Sequence, residues 1–183
     1  DAEGDNGYAV DIKKLYDNVM NRYKYGGLDT PGLYLDETTL RTCYYHRRLF
    51  AQLAKELIKQ GDHVRARKVL TYAEQAVPAY NVPEIYESGS FDIATAYAAL
   101  GEKTKAVTLF NHLIAESEDY INWAFSLGNG RTGMMQNDCL YKFWQWNAYN
   151  ERMKEIDKES YEASNRRFEE KYALFTQIIN NRN

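Results

Sequence analysis

Cysteine is scarce in this 183-residue chain, with Cys43 and Cys139 the only two. So few thiols exclude a disulfide-built miniprotein and a zinc framework. One bridge stays open if the fold brings the pair together, and two buried free thiols are the expectation. An excess of one charge is lacking too, because 23 basic residues meet 26 acidic ones for a net −3. That balance excludes nucleic-acid binding through bulk charge. No run approaches about 20 consecutive apolar residues, so no helix in the sequence spans a bilayer. Asp1 to Asn6 is acidic, without a positive n-region or an apolar h-region, and does not read as a signal peptide. A start at Asp reads as a cut in a longer chain.

What is present is a 44% hydrophobic composition over a length that supports a real core, which rules out wholesale disorder. Helical periodicity dominates and no alternating strand pattern emerges. From Tyr8 to Tyr25, Ile12, Leu15, Tyr16, Val19, Met20 and Tyr23 fall on one helix face, and Gly26-Gly27 stops it. Thr30-Pro31-Gly32 marks a loop, and Asp36 is suited to cap a helix over Glu37–Gln60. A further helix is expected from His63 to Ala76, beyond the Gly61-Asp62 turn.

Internal repetition organises this middle region. Ala54, Leu57, Gly61, Ala66, Leu70 and Ala73 recur 40 positions later as Ala94, Tyr97, Gly101, Ala106, Phe110 and Leu113. Small residues near a turn let paired helices approach closely, and Gly accepts the left-handed turn. The second pair covers Ser90–Leu100 and Lys103–Tyr120, with Ala79–Gly89 as a polar linker. Phe50, Leu53-Ala54, Leu57, Ala66, Leu70, Ala73 and Pro78 resemble a tetratricopeptide repeat. The second unit departs at Ser90 and Glu118, and its 40-residue offset exceeds the family's 34.

Past the Gly-rich break at Leu127–Gly133, the segment Met134–Asn181 has neither Gly nor Pro. Its stripes Cys139, Phe143, Trp146, Tyr149, Met153 and Phe168, Tyr172, Phe175, Ile179 read as a hairpin turning near 157–162, or as one long helix. The expected fold is therefore all-α: a tetratricopeptide-like α–α superhelix of about three helical hairpins plus an N-terminal helix. It is read as a single domain over 1–183, divided into 1–36, repeats at 37–78 and 90–127, the 79–89 linker and the hairpin at 134–181.

A broader likeness rests on Pro31-Gly32-Leu33-Tyr34-Leu35-Asp36-Glu37-Thr38-Thr39, Tyr45-His46-Arg47-Arg48, Phe50-Ala51-Gln52-Leu53-Ala54 and Asn81-Val82-Pro83. These resemble the C-terminal region of a family of bacterial polytopic membrane proteins of unknown function. The membrane half of that family is similar to protein O-mannosyltransferases. The resemblance implies an extracytoplasmic (periplasmic) helical domain attached to a membrane enzyme, with catalytic residues outside this chain. A stand-alone soluble adaptor, then cytoplasmic, is the alternative.

Chemistry-bearing patterns are thin. Cys43 and His46 have metal-ligand spacing on a helix but no second pair, so no metal is expected. Gly128–Gly133 lacks the Lys-Ser/Thr of a phosphate loop, Asp36-Glu37 reads as capping and Glu169-Glu170 as a solvated face. No catalytic residue or cofactor is assigned, and this domain is expected not to be an enzyme. Residues 41–68 hold eight basic side chains against two acidic ones, whereas 84–119 hold seven acidic against two basic. The alternatives are a basic face for anionic lipid or an acidic partner, or a dipolar surface whose two parts attract. Tyr44, Arg48, Tyr72, Tyr86 and Tyr97 are the expected partner groove, with core packing the competing role for the tyrosines. The partner expected there is a protein or peptide, including the membrane half of the same chain.

Overall fold

The computed structural model describes residues 10–180. Tyr8 and Asn181, at the ends of two expected helices, lie outside them. Every regular element among the described residues is helical, so the chain is all-α. Contacts divide it into two compact units, Asp1–Glu102 and Lys103–Asn183.

In the first unit, α1 (Ile12–Asp17) starts where Asp11 accepts from the Lys14 amide, and continues as a π-helical turn over Asn18–Arg22. The long α2 (Glu37–Lys59) begins at Asp36, whose carboxylate accepts from the amides of Thr38 and Thr39. Those bonds satisfy orphan donors of the first turn and hold the Asp36 carboxyl below its ordinary range. Gly61, at φ 75°, turns the chain into α3 (His63–Ala76), capped in the same way by Asp62. Ala54 of α2 and Ala66 of α3 are both fully buried, and α2 and α3 pack together as a hairpin. A 3-10 turn (Tyr86–Ser88) leads to α4 (Ser90–Ala99), and both turn and helix pack on α2.

Gly89 joins that turn to α4 at φ 82°. A Cβ there would meet Arg48 Cγ at 2.8 Å and Arg48 Cα at 3.1 Å, so left-handed backbone and close approach both require glycine. Gly89→Ala is expected to cost about 2–4 kcal/mol, adding backbone strain to overpacking. A urea titration that finds less than about 1 kcal/mol would contradict this packing.

The second unit contains α5 (Lys103–Ser126), α6 (Asn129–Met134), α7 (Gln136–Ile156) and α8 (Lys158–Asn180). The Gly-rich break is thus mostly a short helix. Thr132 Oγ1 fixes it by donating to the carbonyls of Ala124 (2.7 Å) and Gly128 (3.1 Å). α7 packs on α5, and the chain reverses at the extended residue Asp157 so that α8 packs on α7. Phe143, Phe168, Tyr172 and Phe175 interlock there, with Phe143 edge-on to Phe168 and Tyr172. Glu116 pairs with Lys142 of α7 and Glu118 with Arg167 of α8. Two acids of the negative stretch therefore find partners inside their own unit.

Candidate functional site

Among the described residues no group of three or more His, Cys, Asp and Glu side chains could hold a metal ion. None of their helices is long and apolar enough to cross a membrane. Cys43 and Cys139 are free, buried thiols, each raised in pKa chiefly by burial.

The five residues expected to line a groove all belong to the first unit, and they divide into three settings. Tyr44 and Arg48, four apart, share one side of α2. Tyr44 is half-buried, and its hydroxyl is raised in pKa by burial, with the Glu87 carboxylate adding to the shift. Arg48 is exposed and donates through Nη1 to the Glu87 carbonyl, tying α2 to the 3-10 turn that carries Tyr86. Tyr86 is half-buried against the Phe91 ring, at 5.7 Å between centroids. These three residues make one surface.

Tyr72 is elsewhere. Its ring packs edge-on against Tyr25 (6.0 Å) and Phe50 (5.8 Å). Phe50 lies about 120° round α2 from Tyr44 at 100° per residue, so Tyr72 serves a different face. Tyr97 is only 3% exposed, and its hydroxyl donates to Glu74 Oε1. Burial and that carboxylate raise its pKa strongly. It acts as a core residue with a satisfied polar tip.

Arg47 was read as one of the basic residues of 41–68, yet it is 3% exposed. Nη1 donates to the Pro83 carbonyl (2.6 Å) and Ser88 Oγ (3.1 Å), and Nη2 to the carbonyls of Val77 (2.9 Å) and Val82 (2.6 Å). Burial pulls its pKa down to about 10, opposed by Glu84, Tyr44 and Cys43, so it stays charged at neutral pH. One guanidinium thus anchors the 77–88 segment and places Tyr86 and Glu87 beside α2. Other charges of the stretch are engaged as well. Arg65 pairs with Asp62, and Arg67 pairs with Glu102 and donates to the Leu100 carbonyl.

His46 sits among three tyrosines, edge-on to Tyr25 (5.4 Å), Tyr23 (5.9 Å) and Tyr45 (6.2 Å). Its buried Nδ1 has no hydrogen-bond partner among the described residues, and desolvation lowers its pKa. The unfolded chain, with His near pKa 6.5, therefore binds this proton more readily than the fold does. Stability of the first unit is expected to be insensitive to His46 above about pH 6.5 and to fall as pH drops below it. His46→Phe should flatten that part of a thermal-melt pH series, and an unchanged slope would contradict the assignment.

Sequence reasoning passed over a second group, Asn21, Tyr23, Tyr25 and Gln75, which with Tyr72 border a cleft. The one signal available was the pair of tyrosines running directly into Gly26-Gly27. No family model, no curated protein and no solved structure matches this chain.

Proposed function

We propose that this chain is a non-catalytic interaction domain, a tetratricopeptide-like stack of helical hairpins that binds a protein or peptide partner. In the same reading it is the extracytoplasmic C-terminal part of a membrane protein whose other half is glycosyltransferase-like. The docking surface is the side of α2 bearing Tyr44 and Arg48, together with the Tyr86 turn. The observation that carries this reading is the tie from Arg48 to the Glu87 carbonyl, which holds an exposed cation and two half-buried tyrosines in one arrangement. Preassembled aromatic and Arg side chains lower the ordering cost of binding and are the residue types that dominate interfaces.

Two measurements test it. The complete reading frame should place several apolar spans of about 20 residues ahead of this segment. A complete frame without them leaves the stand-alone adaptor. Association of this domain with the purified membrane half should be lost in the Tyr44→Ala, Arg48→Glu double variant, with circular dichroism unchanged. Undiminished association in that variant overturns the docking surface.

A further inference from the structure

On the first unit, away from the Tyr44–Arg48 surface, a cleft of about 390 Å³ opens between the chain leaving the π-helical turn and the last turns of α3. Tyr23, Tyr25 and Tyr72 give it aromatic walls. Lys24, Asp29 and Gln75, all three exposed and each ending in a polar head, line it as well. Among the described residues those three heads make no hydrogen bond or ion pair with other side chains. We propose that this cleft binds a neutral saccharide, one or two pyranose rings of a longer glycan.

The chemistry selects that class in three steps. One ammonium and one carboxylate leave the lining without net charge, so neither an anion nor a cation is favoured. An apolar ligand would lie against Lys24, Asp29 and Gln75 without offering hydrogen bonds to any of them. A pyranose has what the walls require: C–H faces to lie on tyrosine rings, and hydroxyls that both donate to Asp29 and accept from Lys24, with Gln75 able to do either. The volume lies at the low end for ligand sites, which suits one or two rings. An extended peptide, at roughly 3.3 Å per residue, needs a longer groove than one loop and one helix end provide.

The cleft is also preformed, which weak polar ligands need. Asn81 Nδ2 donates to the carbonyls of Leu28 (2.7 Å) and Thr30 (2.6 Å), and the Tyr80 hydroxyl to that of Asp29 (2.7 Å). These bonds fix the 28–30 backbone. Tyr25 donates to the Val19 carbonyl at 2.8 Å, which leaves its ring fixed beside Tyr72. Tyr23 remains 38% exposed, available to a ligand entering from solvent.

The site stands apart from the partner-docking surface and does not depend on it. The test is saturation-transfer NMR of the 183-residue chain with maltotriose, cellotriose, mannotriose and chitotriose. At least one should bind saturably, with Kd between about 0.1 and 10 mM. Tyr23→Ala and Gln75→Ala should each weaken binding about tenfold or more, whereas Tyr45→Ala, outside the cleft, should not. Circular dichroism of each variant confirms that it is folded. Any of three results overturns the proposal: no binding by any of the four sugars, binding indifferent to Tyr23 and Gln75, or occupation of the cleft by a proline-rich peptide instead.

Discussion

Arg47→Met should destabilise the first unit by about 3–5 kcal/mol, because it removes every donor that the 77–88 segment receives from α2's buried guanidinium. The side chain is 3% exposed and reaches three main-chain carbonyls and one hydroxyl. Each buried acceptor left without a donor costs about 1–3 kcal/mol, and the hydrophobic replacement recovers only part of the sum. Arg47→Lys separates charge from geometry. An ammonium keeps the charge but lacks the fork that serves Val77, Val82 and Pro83 together, so its loss should be about half as large. Urea midpoints give the two energies, and amide exchange should locate the loosening at residues 77–88. If Arg47→Met costs less than about 1 kcal/mol, the 77–88 segment is held by something other than this hub.

The need for that hub can be traced to two prolines. Val77 precedes Pro78 and Val82 precedes Pro83. A residue before proline is driven from the helical region, so its carbonyl has no helical ladder to join. Both carbonyls are buried along this segment and both accept from Arg47 Nη2. Counting charges along the sequence assigns Arg47 to a basic stretch, since such a count presumes exposure. Nothing local says that carbonyls 30 and more positions away will surround it.

Local rules reached further where the chemistry was local. Asp36 was legible as a cap because a cap depends on amides two and three residues on, and its carboxylate accepts from both. The turn at Gly61 and the paired small residues Ala54 and Ala66 were legible from spacing alone. The site was less so. Tyr44, Arg48 and Tyr86 converge, but Tyr72 and Tyr97 have other neighbours, because a tyrosine's sequence position does not reveal which of three packed helices its ring will meet. The cleft escaped notice for a related reason. It joins residues 20–29 to Tyr72 and Gln75, and no periodic pattern links those stretches.

The second unit has its own single point of weakness in Trp146, the one fully buried indole beside the half-exposed Trp123 and Trp144. Its Nε1 donates to Ser164 Oγ at 2.8 Å, and Ser164 in turn donates to Asn150 Oδ1 at 2.6 Å, a chain that bolts α7 to α8. Trp146→Ala should cost about 3–5 kcal/mol, chiefly from the cavity left between those helices. Trp146→Phe loses the donor and the three further ring atoms of the indole but keeps a ring in the core, so about 2–3 kcal/mol is expected. Adding Ser164→Ala to Trp146→Phe should not rescue stability, because Asn150 Oδ1 then loses its own donor inside the core. Fluorescence supplies an independent readout. Trp146 should be the blue-emitting component, so Trp146→Phe should leave a red-shifted spectrum from Trp123 and Trp144 while helicity is retained. A Trp146→Phe protein that keeps the blue component, or a double variant as stable as the wild type, would rule out this bolt as the join between α7 and α8.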